Sequence, residues 1–231
     1  MASIAENISS LRTRIRQAEL RFGRSPHSVS VLAVSKTQDA DGIQEAWAAG
    51  QREFGENYVQ EALGKISELA QRIPDSGIHW HFIGPIQSNK TRDIAEHFSW
   101  VHSVERLKIA QRLSAQRPAE LPPLNVCVQV NLSGEDSKSG LPLAEAPALC
   151  EQISRLPALR LRGLMAIPAP CDDMEQQRRV FRPLAQLRKE MSSRFPDFDT
   201  LSIGMSADYE AAIAEGSTLV RIGTALFGAR T

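Results

Sequence analysis

Cysteine is scarce in this sequence, and net charge and long apolar runs are absent from it. Its three cysteines, Cys127, Cys150 and Cys171, show no CxxC spacing and leave an odd number, which argues against a disulfide framework or a zinc site. The 27 basic residues balance 27 acidic residues, so we expect neither a nucleic-acid partner nor binding to an anionic membrane surface. No stretch approaches the roughly 20 apolar residues of a membrane span, and the N-terminal segment lacks the apolar core of a signal peptide. These features predict a soluble protein of the reducing cytoplasm.

Short apolar runs alternate with helical patterns along most of the chain. An amphipathic helix comes first, because apolar residues recur at spacings of four and three from Ile4 to Phe22. Eight strands are predicted after it, at residues 30–35, 52–55, 79–83, 100–103, 124–131, 161–167, 200–203 and 219–222. The helices predicted after these strands are 41–49, 58–72, 89–97, 105–117, 143–156, 174–195, 207–215 and a short one after Gly223. Pro183 lies inside the helix 174–195, where we expect a kink or a break.

Eight strand–helix units in about 200 residues predict an α/β fold, a single (β/α)8 TIM-type barrel with an extra N-terminal helix. We expect residues 1–231 to form one domain. A doubly wound open sheet is the alternative, and it would concentrate its unusual residues in one switch-point loop. Polar or otherwise unusual residues instead follow many strands, as at the carboxyl-terminal face of a barrel: Lys36, Glu56, Asn57, Gly84, Ser103, Asn131, Met165, Gly204, Met205, Ser206, Gly223 and Thr224.

Lys36 directly follows the first apolar run, which places it at the carboxyl end of a buried strand. Its amine can therefore point into the barrel mouth. Partial burial would disfavour the ammonium form, which suits Schiff-base chemistry. Position alone favours the alternative, a solvated lysine at a strand end.

Two glycine-containing loops near the C-terminus predict a phosphate site. Residues 202–206 (SIGMS) follow the seventh strand, and residues 221–224 (RIGT) end the eighth strand and open a short helix. Barrels often bind phosphate with these two loops, because glycines let backbone N–H groups approach the anion and hydroxyls add donors. The alternative is that both glycines only make turns.

Two further segments carry chemistry-bearing side chains. His79 and His81 stand at i and i+2 of the third strand and could bind a metal, but no third ligand is apparent. Ring packing or a hydrogen bond is the preferred interpretation. Asp136, Lys138 and Gly140 lie in a loop that is either solvated or a lid over the site.

Seven motifs in one order span nearly the whole chain. They are AVSKT (33–37), FGENYVQE (54–61), HFIGPIQSNK (81–90), QVNLSGEDSKSG (129–140), RGLMAI (162–167), LSIGMSADYEAAI (201–213) and VRIGTALFG (220–228). Together they resemble the pyridoxal phosphate homeostasis protein family, also described as alanine racemase N-terminal-domain-like or proline-synthetase co-transcribed. The resemblance implies a barrel like the alanine racemase N-terminal domain, with pyridoxal 5'-phosphate (a form of vitamin B6) held covalently as a Schiff base on Lys36.

The resemblance also implies roles for other positions. Ser206, Gly223 and Thr224 look like phosphate contacts. Arg221 looks like the residue beside the pyridine nitrogen, where a fixed cation would keep that nitrogen unprotonated and weaken the cofactor as an electron sink. The remaining implied residues, which would contact the ring region, are Asn57, Ser103 and Met165.

The implied role is to hold and balance pyridoxal phosphate in the cell without catalysis. Racemases of similar fold add a β-domain and take a tyrosine from the partner subunit as second base. This chain stops at Thr231, and Tyr58 and Tyr209 fall in predicted helices. We therefore expect a monomer that supplies recipient apo-enzymes. One alternative is a small pyridoxal-phosphate enzyme, such as an amino-acid racemase, with His81 or Lys138 as second acid–base group. Another is a barrel for a different phosphate ester.

Overall fold

Eight parallel strands form a closed barrel in the computed structural model, which describes residues 2–133 and 139–228. Each strand pairs with the next along the chain, and the eighth returns to the first, where Ser30 pairs with Leu219 and Ala33 with Ile222. This closure confirms the predicted barrel over the open sheet. The barrel strands are β1 (Ser30–Val34), β2 (Glu53–Glu56), β3 (His79–Phe82), β4 (Trp100–Val104), β5 (Leu124–Asn131), β6 (Leu159–Met165), β7 (Thr200–Ser202) and β8 (Leu219–Ile222).

Helices follow the strands and cover the outside of the barrel. They are α1 (Ile4–Arg21), α2 (Ala40–Ala48), α3 (Val59–Arg72), α4 (Thr91–His97), α5 (Leu107–Gln116), α6 (Ala146–Ile153), α7 (Met174–Ser192), α8 (Tyr209–Ala214) and α9 (Thr224–Phe227). Short 3-10 turns, Ser88–Lys90 and Leu143–Glu145, precede α4 and α6. A two-residue strand that the sequence did not predict, Leu141–Pro142, pairs with the end of β5 outside the ring.

The N-terminal helix α1 is fixed at both ends. Ser3 and Glu6 form a reciprocal capping box at its start. Buried Glu19 near its end accepts hydrogen bonds from the backbone N–H groups of His27 (2.9 Å) and Val29 (2.8 Å). Its apolar face packs against α2, α8 and α9. No helix in residues 2–133 and 139–228 is long and apolar enough to cross a membrane.

The structure corrects the sequence predictions at helix α7 and at the end of strand β6. The sequence predicted a kink or a break at Pro183; helix α7 runs unbroken through this residue, so the predicted break is wrong. Pro183 faces solvent, while Phe181 and Leu184 are buried, so packing of the apolar face outweighs the lost backbone hydrogen bond. Strand β6 ends at Met165 rather than at Ile167, which leaves the Ile167 side chain 44% exposed beyond the strand.

Candidate cofactor-binding site

A cavity of about 320 Å³ lies at the carboxyl ends of β1, β2, β3, β7 and β8. Such a volume is within the range of small-molecule sites. A second cavity of about 460 Å³ adjoins it across shared residues such as Asn57 and Met205. The residues lining the first cavity are Val34, Lys36, Gln38, Asn57, Ile83, Ile167, Met205, Ser206, Ala207, Arg221, Gly223, Thr224 and Gly228.

The cavity brings together most of the residues that the sequence predicted. Its lining includes Lys36, Asn57, Ser206, Arg221, Gly223 and Thr224. Ser103 and Met165 are buried and do not appear in that lining. Ser103 Oγ instead donates a hydrogen bond to the carbonyl oxygen of Gly84 at 2.6 Å.

A larger cavity of about 680 Å³ lies elsewhere, between α1 and the segments at the amino ends of β1 and β2. None of the predicted site residues lines it. We therefore place the candidate site at the carboxyl-terminal face, where barrels of this type build their binding sites.

Lys36 lies half-buried at a strained turn after β1. The next residue, Thr37, has φ +66°, in the left-handed region that β-branched residues rarely adopt. The Thr37 N–H donates to Glu61 Oε1 at 2.5 Å, which holds this conformation. Strained backbone of this kind tends to occur at binding sites, where the surrounding structure enforces it.

A buried ionic cluster anchors the residue before Lys36. Lys65 Nζ donates to the carbonyl oxygen of Ser35 at 2.8 Å, to Glu56 Oε1 at 3.0 Å and to Glu61 Oε1 at 2.5 Å. Ser35 Oγ also donates to Glu56 Oε1, at 2.6 Å. Burial raises the pKa of Glu56, and the nearby Lys65 charge opposes that shift. Lys65 is not recognisable in the sequence as a site residue, because its i,i+4 spacing from Glu61 is typical of exposed helical pairs.

Asn57 and Gly84 form a close backbone contact at the wall of the cavity. A Cβ on Gly84 would lie 2.2 Å from the carbonyl oxygen of Asn57, so only glycine fits there. The Asn57 Oδ1 atom is buried and has no hydrogen-bond partner within the described residues. A buried acceptor without a partner is uncommon and fits a ligand that donates to it.

Arg221 is a fixed cation in the same cavity. Its Nη1 donates to the Ser202 carbonyl oxygen at 2.5 Å and to Ser202 Oγ at 2.9 Å, and its Nη2 donates to the Ala166 carbonyl oxygen at 2.9 Å. Burial lowers the pKa of Arg221 to about 10, which leaves it protonated at neutral pH. Three of the five guanidinium N–H donors are used in these bonds, so the group is held in one orientation.

The two predicted phosphate loops meet at the cavity. Gly204 has φ +97°, and a Cβ there would lie 2.7 Å from the Ala212 Cβ, so this turn requires glycine. Met205 N–H donates to Asp208 Oδ1 at 2.6 Å, which fixes the first loop. Exposed Ser206 and Thr224 carry hydroxyl groups at the rim.

The histidines of β3 serve as hydrogen-bonding groups in this structure. His79 Nδ1 lies 2.9 Å from Glu53 Oε1, and His81 Nε2 lies 2.6 Å from Glu53 Oε2. The described residues contain no cluster of three or more potential metal ligands. His81 is buried in the barrel interior and is not among the residues that line the cavity, which argues against it as a second acid–base group. Asp136 and Lys138 lie outside the described residues.

Comparison with known proteins places the chain in a family. The model named alanine racemase, N-terminal domain, matches residues 2–231. A pyridoxal phosphate homeostasis protein of Pseudomonas aeruginosa is 62% identical over 230 residues, covering 100% of this chain and 97% of that protein. Its Escherichia coli K12 counterpart is 56% identical, covering 100% and 98%. The chain belongs to the pyridoxal phosphate homeostasis protein family. The resemblance inferred from the seven motifs is therefore confirmed.

Solved structures agree with this family and its fold. PipY of Synechococcus elongatus, with pyridoxal phosphate bound, is 39% identical with a TM-score of 0.84, covering 98% of this chain and 100% of that chain. Alanine racemase of Bacillus anthracis has a TM-score of 0.67 at 16% identity and covers 96% of this chain and 56% of that chain. The second likeness shows a shared fold alone.

Proposed function

We propose that this chain binds pyridoxal 5'-phosphate in the cavity at the carboxyl-terminal face and contributes to pyridoxal phosphate homeostasis in the cytoplasm. The observation that carries the proposal is that Lys36, Arg221 and both glycine loops line one cavity. We further propose that the cofactor is held covalently, as a Schiff base on Lys36. We also propose that residues 1–231 form one domain and that the protein is a monomer.

The residues present fit each part of this cofactor. When bound, pyridoxal phosphate supplies an aldehyde that condenses with an amine and a conjugated ring that withdraws electrons. Backbone amides and hydroxyls of Ser206, Gly223 and Thr224 would hold the phosphate. The buried Oδ1 of Asn57 would accept a hydrogen bond from the ring region. Arg221 would keep the pyridine nitrogen unprotonated, since a fixed cation disfavours a second cation beside it.

A role without catalysis is supported by the chemistry of the lining. Among the described residues, the lining has two ionisable side chains, Lys36 and Arg221. Tyr58 is 59% exposed and Tyr209 is buried in α8, and neither lines the cavity described here. Two-base racemisation needs a second acid–base group besides the lysine. We therefore propose a carrier that releases the cofactor to recipient apo-enzymes.

Chemical trapping tests the covalent site. Protein incubated with pyridoxal phosphate is reduced with borohydride, digested and examined by mass spectrometry. We expect the pyridoxyl group on the peptide that contains Lys36, no stable label in Lys36→Ala, and full labelling in the control Lys108→Ala, which changes an exposed lysine of α5. Label on another lysine would overturn Lys36 as the covalent site. Absence of label would overturn the covalent proposal and favour a different phosphate ester.

Turnover and transfer assays test the role. The loaded protein is mixed with a panel of amino acids, and racemisation and elimination products are measured. We expect none above the rate with free cofactor. Turnover that disappears in Lys36→Ala would establish an enzyme instead.

The transfer assay mixes the loaded protein with a recipient apo-enzyme. Activation of the apo-enzyme faster than release of free cofactor would support direct delivery, and activation at the release rate would contradict it.

A further inference from the structure

A chain of polar side chains crosses the barrel interior and ends at the candidate site. His81 Nε2 lies 2.6 Å from Glu53 Oε2, and His81 Nδ1 lies 2.9 Å from His102 Nε2. His102 Nδ1 lies 2.8 Å from Ser202 Oγ, which accepts a hydrogen bond from Arg221 Nη1 at 2.9 Å. We call these five residues, which come from β2, β3, β4, β7 and β8, the Glu53–Arg221 chain.

The two ends of the Glu53–Arg221 chain fix the direction of every bond in it. Arginine can only donate, and an ionised carboxylate can only accept. Neutral His81 must therefore donate from Nε2 to Glu53 and accept at Nδ1 from His102 Nε2–H. His102 Nδ1 must then accept from the Ser202 hydroxyl, whose oxygen accepts from Arg221. Every donor in this arrangement has an acceptor, and each histidine has one tautomer.

The surroundings favour neutral histidines within this chain. His81 and His102 are 1% and 0% exposed, and burial lowers the pKa of each below its ordinary value. The His81 ring is stacked on Trp100 with 5.3 Å between centroids. Burial would raise the pKa of Glu53, but the hydrogen bonds from His81 and His79 lower it overall, so Glu53 is ionised at neutral pH.

We propose that the Glu53–Arg221 chain positions the Arg221 guanidinium beside the bound cofactor, with Glu53, His81, His102 and Ser202 acting as positioning residues. The proposal rests on the proposed function. Glu53 lies at the amino end of β2, and its side chain is 30% exposed. The Glu53–Arg221 chain thus links a carboxylate near the opposite end of the barrel to a cation in the cofactor cavity. A change in the charge of Glu53 would alter the orientation and polarisation of Arg221, and thereby the electrostatic environment of the cofactor ring.

Nitrogen-15 NMR of histidine side chains tests the bond directions in the unloaded protein. We expect His81 and His102 each to carry its proton on Nε2 and to have an unprotonated Nδ1 at neutral pH. A doubly protonated His81, or a proton on His102 Nδ1, would reverse the direction and overturn the proposal. Because no cofactor is present, this result is independent of the proposed function.

A double-mutant cycle on the loaded protein tests the positioning role. The midpoint pH of the change in cofactor absorbance is measured for wild type, Glu53→Gln, Arg221→Lys and the double variant. We expect Glu53→Gln to shift the midpoint by about half a unit or more, a roughly threefold change in proton affinity. In the Arg221→Lys background, the same change should have no further effect, because lysine cannot keep the fixed geometry. The exposed control Glu120→Gln should leave the midpoint unchanged.

Additive effects in the cycle, or an unchanged midpoint in Glu53→Gln, would overturn the positioning role. Glutamine keeps an oxygen that can accept from His81, so Glu53→Gln is a conservative change for folding. Thermal unfolding checks that each variant remains folded. Absence of cofactor binding in wild type, together with the expected tautomers, would refute the proposed function and the positioning role but retain the bond directions.

Discussion

Replacing Lys65 with methionine is the sharpest test of the ionic cluster beneath the candidate cavity. The Lys65 side chain is 8% exposed and that of Glu56 is 0% exposed, so the pair lies out of reach of bulk water. The change removes three hydrogen bonds and leaves the Glu56 carboxylate buried without its cation. Removal of one partner of a buried pair destabilises a protein by about 3–5 kcal/mol. For a chain of this length, that loss lowers the melting temperature by roughly 6–20 °C.

The pH dependence of this loss of stability follows from the titration of the Glu56 carboxyl group. Burial raises the pKa of this carboxyl group, and loss of Lys65 removes the charge that opposes the shift. A carboxyl group whose folded-state pKa is raised binds its proton more tightly in the folded state, so its contribution to stability falls as the pH rises. The difference between wild type and Lys65→Met should therefore be largest above the folded-state pKa of Glu56 and should shrink in acid.

Urea unfolding of the unloaded protein measures this free energy. Lys108→Met serves as the control, since Lys108 is exposed near the start of α5, and it should change stability by less than about 0.5 kcal/mol. The double variant Glu56→Gln, Lys65→Met should recover part of the loss, because the uncompensated charge is gone. A Lys65→Met variant as stable as the control would refute the interpretation of the cluster as a buried ion pair.

Three further predictions concern stability. Gly84→Ala should lower the free energy of unfolding by more than about 2 kcal/mol, because a Cβ would clash with the Asn57 backbone. Gly64→Ala, which has open space around it in α3, should instead raise the free energy of unfolding by about 0.5–1 kcal/mol. Urea unfolding of both variants checks this, and equal effects would contradict it. Pro183→Ala should raise the melting temperature, because it restores a helical N–H and removes the cost of a proline inside a helix. The net gain in the free energy of unfolding should be about 1–3 kcal/mol after the greater freedom of the unfolded chain is subtracted. A lower melting temperature would show that the proline is needed. Acidification below pH 6.5 should destabilise the protein, because burial lowers the pKa of His102 in the folded state, whereas unfolded histidine takes up a proton at its ordinary pKa of 6.5. Thermal scans from pH 7 to pH 5 in wild type and His102→Gln check this prediction. The same slope of melting temperature against pH in both proteins would contradict it.

Local pattern in the sequence was enough for the order of the elements and for much of the site. The predicted strands 124–131 and 219–222 agree with β5 and β8, because apolar β-rich runs bounded by prolines, glycines and polar residues mark strands without reference to the rest of the chain. The placement of Lys36 at the cavity followed in the same way, since the carboxyl end of a parallel strand lies at the barrel mouth whatever its neighbours are.

Other features depended on contacts between distant segments. Nothing local distinguishes Lys65 from an exposed helical lysine, and only the packing of α3 on the ends of β1 and β2 buries it beside Glu56. The i and i+2 spacing of His79 and His81 agrees with their shared contact to Glu53, but the neighbouring strands decided that His81 also meets His102.

The sequence by itself therefore determined the family, the order of strands and helices, and the lysine and glycine loops at the candidate cavity. The tertiary structure decided which charged and polar groups are buried together and how their hydrogen bonds are directed. The physical reason is that periodicity and turn chemistry act over a few residues, whereas burial and ion pairing depend on segments brought together only when the barrel closes.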